Sequence, residues 1–198
     1  MSRGLGDVYK RQALGHAVGD GNNFAYTWLW SYGASTVDAD GKPAIDSPET
    51  RNALDGMKEL YSAMIPGCAS WQDPHNNKAF LAEQIAATNN GISIYYALKK
   101  DPKLARITED TYHAELPIGP VGIPTQLHLY NQVFIFKHTA VPNAAKHFLM
   151  FMLEQEQAEP WMDAMSGYVT PGLKDYRKLP VWTRDPKHTA YRDCVYNL

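Results

Sequence analysis

The clearest pattern along the chain lies between residues 47 and 64. Leu54, Met57, Leu60, Tyr61 and Met64 recur at steps of three and four with polar residues between them. That spacing predicts an amphipathic helix over about 48–64. Ser47 offers an N-cap oxygen, and Pro48 suits the first helical position. Upstream, Tyr26, Trp28, Trp30 and Tyr32 alternate at period two within the apolar run 24–37. On an extended segment all four rings would share one face. The run ends in a turn at 38–42, where Asp40-Gly41 supplies the turn chemistry.

Downstream, "NKAFLAEQ" (77–84) reads as a short helix. "IAATNNGISIYYAL" (85–98) reads as a strand entering a loop at Asn89-Asn90-Gly91, with a helix starting near Tyr95. "KKDPKLARITED" (99–110) is a polar connector, and "AELPIGPVGIPT" (114–125), with three Pro and two Gly, is an extended irregular crossing segment. "HLYNQVFIFKH" (128–138) alternates aromatic and β-branched residues as a strand does. The next 29 residues form a helix, broken at Pro160 and stopped at Gly167. "YVTPGLKDYRKLPVW" (168–182) is loop and turn. Strands alternating with helices predict an α/β layer structure. There is no internal repeat.

Composition narrows the function classes. With 198 residues, 44% hydrophobic positions and a formal net charge of −2, the chain is neither a polybasic nucleic-acid binder nor a disordered tail. Twelve Tyr and five Trp are many for this length, and such rings stack on flat or sugar-like ligands as well as filling cores. Cys68 and Cys194 stand far apart in no metal-ligand spacing, which leaves two small unpaired residues or one long-range disulfide. No apolar run reaches the ~18 residues a membrane helix needs.

The opening "MSRGLGDVYKRQ" has charges but no apolar stretch behind them, so it is no signal peptide. Residues 2–12 match, without a mismatch, the translation of a transposon-end adaptor used in sequencing libraries. Residues 1–12 are therefore read as adaptor-derived, and 13–198 as a partial domain truncated at both ends. A signal peptide lost upstream fits that reading.

Enzyme signatures are missing. There is no nucleophile elbow, no His-Glu-x-x-His and no phosphate-binding Gly-Lys-Ser/Thr loop. The seven His form no pair at helical ligand spacing, so no metal and no cofactor is expected. Asp20, Glu83 and Glu115 are the nearest acids for glycoside chemistry, with nothing in the sequence to pair them. The aromatic run and the Tyr95-Tyr96 pair beside Asn90-Gly91 point instead to ligand contact.

The order of five stretches carries a resemblance. "YTWLWSYGASTVDADGKPAIDSPETRNALDGMKELY", "AFLAEQIAATNNGISIYYAL", "LPIGPVG", "VFIFKHTAVPNAAKHFLMFMLEQEQAE" and "GYVTPGL" follow one another as in the family 1 extracellular solute-binding proteins of carbohydrate ABC transporters. This maltose-binding-protein-like likeness spans nearly all of 24–178. It implies a periplasmic-binding-protein type II-like α/β fold, incomplete, mostly the C-terminal lobe plus the hinge-crossing segment. It implies a helix, not an extended segment, over 24–32. It implies a binding protein, not an enzyme, that captures a sugar or polyol in an interlobe cleft and closes by a hinge. The partners implied are the solute and membrane permease subunits, with no nucleic acid. The location implied is periplasmic or extracellular, for a monomer, membrane-anchored if a lipoprotein. Related folds bind peptides, polyamines or glycerol phosphate, the runner-up reading.

Site residues come by the same resemblance. Tyr26 and Trp28 occupy the aromatic segment that faces the cleft in relatives. Asn90 and Gly91 stand where relatives carry an Asn-Gly followed by an aromatic. Here Ile92-Ser93-Ile94 follow, so either Tyr95 supplies the stacking ring or Ser93 supplies a hydroxyl contact. Asn131 replaces part of a Gly-Gly pair and offers an amide to a sugar hydroxyl. Tyr168 lies in the Gly-Tyr-x-x-Pro turn.

Overall fold

A computed structural model of the chain describes residues 19–128, 132–169 and 172–193. They divide into two compact units. The first holds residues up to 111 together with 116–127, and the second holds 112–115 and residues from 128 onward.

The first unit is built on α1 (Asp20–Ser31) and α2 (Pro48–Ser62). α1 confirms the helix implied by the resemblance and overturns the extended reading of the aromatic run. The rings now pair at helical spacing: Phe24 on Trp28 and Tyr26 on Trp30, each at 5.7 Å between centroids. α2 starts as expected, with Ser47 Oγ accepting the Thr50 N–H at 3.2 Å and Pro48 in the first position. The expected stripe is only partly buried: Met64 and Leu60 pack into a core, but the α1 side is set elsewhere. Thr50 and Ala53 are buried, whereas Leu54 and Tyr61 are exposed at 54% and 42%. Small residues decide the packing side. Ala53 and Gly56 leave room for Trp28 of α1 and Tyr32 just past its end, and a Cβ on Gly56 would lie 2.3 Å from Tyr32 Oη. The turn between the helices closes on Asp38, whose Oδ1 accepts the N–H groups of Asp40 and Lys42, each at 2.9 Å.

Beyond α2, Met64, Cys68, Ala79 and Ile85 form a small buried core. Cys68 forms no disulfide among the described residues, and its Sγ lies 4.0 Å from Met64 Sδ. Cys194 lies outside the described residues. α3 (Asp73–Leu81), α4 (Ser93–Lys100) and α5 (Ala105–Asp110) complete the unit. The polar connector at 99–110 is therefore mostly helical. Asp101 caps a short turn at Pro102–Leu104, and α5 follows it directly. "LPIGPVG" is irregular, as expected. It is anchored to the end of α1 by the Val121 N–H, which donates to the Ser31 carbonyl at 3.1 Å.

The second unit contains α6 (Pro142–Met152), α7 (Gln155–Ala164), α8 (Pro180–Thr183) and α9 (Thr189–Asp193). The long helix breaks at Leu153-Glu154, and Pro160 sits inside α7 instead of breaking it. Gly167, at φ 73°, ends α7 by donating its N–H to the Met162 carbonyl. The segment 172–182 is more helical than the loop expected of it, with a 3₁₀ turn at Lys174–Lys178 ahead of α8. The core gathers Ala158, Met162, Tyr176, Leu179, Val181 and Trp182, with Tyr191 packed on it.

The expected strands are the main correction. Among the described residues the one β-bridge is Val37–Pro43, at the Asp38 turn. Residues 85–91 and 132–136 form no ladder, and Val133, Phe134 and Phe136 are 69%, 73% and 70% exposed. Alternation sets which side chains share a face, but a strand also needs a neighbour for its backbone groups. No such neighbour pairs with them among the described residues, so these residues do not show α/β layering. No helix among the described residues is long and apolar enough to cross a membrane.

Candidate functional site

Polar side chains converge in the first unit around the start of α3. Gln72 and His75 close a reciprocal cap, with the Gln72 N–H donating to His75 Nδ1 at 2.8 Å. This leaves Asn76 and Asn77 on the first turns of α3, and the two amides, about 100° apart on the helix, reach different elements. Asn76 is buried, and its Nδ2 donates to Asp20 Oδ2 on α1 at 2.8 Å. Asn77 reaches the 90–93 loop. Its Oδ1 accepts from Asn90 Nδ2 at 2.5 Å and its Nδ2 donates to Ser93 Oγ at 3.1 Å. Ser93 Oγ then donates to Asn90 Oδ1 at 3.4 Å. Asn77, Asn90 and Ser93 thus form a closed triangle of hydrogen bonds. Gly91 sits at its edge, exposed, and a Cβ there would meet nothing within 4 Å.

Two carboxylates flank this cluster. Asp73 Oδ1 accepts the Asp20 backbone N–H at 3.1 Å, so it caps the start of α1. A Cβ on Gly19 would lie 2.8 Å from this carboxylate, so a larger residue there would push the Asp73 side chain aside. The Asp20 carboxyl is held above its ordinary pKa of 3.8, first by burial and also by the neighbouring Asp73. The Asn76 bond works the other way. The folded chain therefore holds the Asp20 proton more tightly than the unfolded chain does. Stability contributed here falls as pH rises from 3.8 through the folded value, and the cost persists at neutral pH. Asp20→Asn removes that charge and keeps an oxygen for Asn76. The expected result is an unfolding midpoint in urea at pH 7 that is unchanged or higher, with a smaller stability difference between pH 3.5 and pH 7 than in the parent. A clear loss at pH 7 would contradict this reading.

The expected site residues separate into groups. Asn90, Gly91 and Ser93 come together. Asn77, which completes their triangle, went unnoticed in the sequence, and the Asn76-Asn77 doublet in a helix start was its one signal. Trp28 is taken up in packing. Its Nε1 donates to the Ala53 carbonyl at 2.7 Å, and its ring lies between Phe24 and Tyr32. Tyr26 is 38% exposed on the other side of α1. Tyr95 lies on α4 and is buried, at 5% exposure, with Lys99 Nζ 5.4 Å from its ring centroid. It therefore offers no open stacking face. Tyr168 is exposed in the second unit. Asn131 lies outside the described residues. Of the acids weighed for catalysis, Glu83 is bound to Arg106 at 2.5 Å. The described residues contain no group of three metal-ligating side chains. A pocket of about 430 Å³ in the second unit is lined by Glu156, Glu159, Asp163 and Arg184 among others, and none of the expected site residues lines it.

No curated relative and no solved structure matches the chain. A family model described as "Bacterial extracellular solute-binding protein" matches residues 6–190, nearly the whole length. The chain belongs to the bacterial extracellular solute-binding protein family.

Proposed function

We propose that this chain captures a sugar or polyol and delivers it to the permease of an ABC importer. The observation that carries the reading is the Asn77–Asn90–Ser93 triangle beside the open backbone of Gly91. An amide presents a donor and an acceptor about as far apart as the two oxygens of a vicinal diol. Two such amides and the Ser93 hydroxyl, held by one another, lose little freedom when a solute arrives. Tyr26, stacked on Trp30 at 5.7 Å and 38% exposed, offers a ring to a sugar face. Trp28 and Tyr95 serve as scaffold. The proposed setting is periplasmic or extracellular, with a lipid anchor where the chain is a lipoprotein.

The Asp20–Asp73 pair favours a second reading, a cationic solute such as a polyamine. Calorimetric titration with Asn77→Ala separates the two. In the first reading Asn77→Ala weakens sugar or polyol binding about tenfold or more, roughly 1.4 kcal/mol, because Asn90 and Ser93 lose their partner. In the second reading polyamine binds the parent, no sugar does, and Asp20→Asn abolishes it.

A further inference from the structure

Residues 112–115 group with the second unit, whereas the chain on either side of them groups with the first. This four-residue excursion is fastened by His113. Its Nδ1 lies 2.9 Å from the Lys187 carbonyl oxygen, which only accepts, so Nδ1 carries the proton and donates. The imidazole also meets the Tyr191 ring edge-on at 4.8 Å. Beside it, the Lys187 ammonium stands 4.6 Å from the centroid of the Tyr112 ring. Two neighbouring residues are thus clasped to the 187–191 segment.

We propose that His113 is a proton-operated clasp: neutral, it holds residues 112–115 on the 187–191 segment, and charged, it releases them. With Nδ1 committed to the Lys187 carbonyl, an added proton goes to Nε2 and places a full charge on a half-buried ring. The charged groups facing that ring are unfavourable on balance. Lys187 and His188 repel a cation there. Asp185 attracts one, but its carboxylate already accepts the Lys187 N–H at 3.0 Å. Burial, the largest effect, together with His188 and Lys187, holds His113 below its ordinary pKa of 6.5, against the pull of the carbonyl bond and Asp185. The unfastened state therefore takes up the proton more readily. The clasp is at full strength above pH 6.5 and weakens as pH falls through that value toward the folded pKa.

The test is a proton NMR titration of the full chain between about pH 5 and about pH 7.5, the range in which histidine changes charge. A cross-peak between the His113 and Tyr191 rings is expected at the upper end. It should be lost at the lower end, with a midpoint below 6.5. His113→Asn keeps a donor near the Nδ1 position without the titration, so its Tyr191 ring signals should hold still across the range. Should that variant not fold, Lys187→Gln removes a repelling surface charge, and the His113 midpoint should move up. A cross-peak that survives with His113 charged would overturn the proposal. So would Tyr191 signals in His113→Asn that titrate as in the parent, or a Lys187→Gln midpoint that stays put or falls.

Discussion

Trp182→Ala lowers the stability of the second unit by about 3–5 kcal/mol, read as a large drop in its urea midpoint by circular dichroism. Trp182 is fully buried at the centre of the cluster that joins α7 to α8. Its six-membered ring lies 3.3 Å from where a Cβ on Gly167 would be, so the α7 terminus is built against it. Truncation leaves a cavity walled by Met162, Leu179 and Tyr176, and most of the transfer energy is lost with it. Trp182→Phe should behave differently. Trp182 Nε1 is buried with no hydrogen-bond partner among the described residues. Phe removes that orphan donor while keeping most of the apolar contact, so the loss should stay under about 1.5 kcal/mol. Equal losses for Ala and Phe would show that Nε1 has a partner and that packing is not the main effect.

Gly119→Ala destabilises the first unit by about 2–3 kcal/mol. A Cβ on Gly119 would sit 2.6 Å from both the Ser31 carbonyl oxygen and Ser31 Cβ. Neither is the end of a flexible side chain, so one backbone must move. The movement breaks the Val121 N–H bond to the same Ser31 carbonyl. Gly91→Ala is the control, because a Cβ there meets nothing within 4 Å. It should change the urea midpoint little. Equal effects at the two positions would mean that "LPIGPVG" does not pack on α1 as described.

These two positions show what was legible in the sequence. Helix starts were readable, because Ser47-Pro48 carries its capping chemistry within a few residues. The apolar stripe of α2 found the Leu60–Met64 side but not the side that meets α1. Leu54 and Tyr61 fit the period but stay exposed, while Ala53 and Gly56 admit the rings of α1. Which side packs depends on the partner's shape, and periodicity carries no information about the partner. The same limit explains the strands. "VFIF" has a strand's alternation, yet Val133, Phe134 and Phe136 remain exposed without a ladder. The helix over the aromatic run came from the resemblance, since period two among four rings argued for an extended segment. At the site, Asn90, Gly91 and Ser93 were legible as a loop before a helix. Asn77 was not, because its contact crosses thirteen residues of chain to Asn90. Buried Tyr95 shows the converse, in that an aromatic beside a loop still served the core.

The central claim is that the amide triangle binds a sugar or polyol, and a thermal-shift screen over sugars, polyols, polyamines and short peptides tests it most directly. A solute at about a hundred times its Kd adds roughly 2.7 kcal/mol to the folded state. The account predicts that at least one sugar or polyol raises the parent's melting temperature and that Asn77→Ala removes most of that rise at the same concentration. A shift produced only by a polyamine or a peptide, or a sugar shift that Asn77→Ala leaves intact, would contradict it.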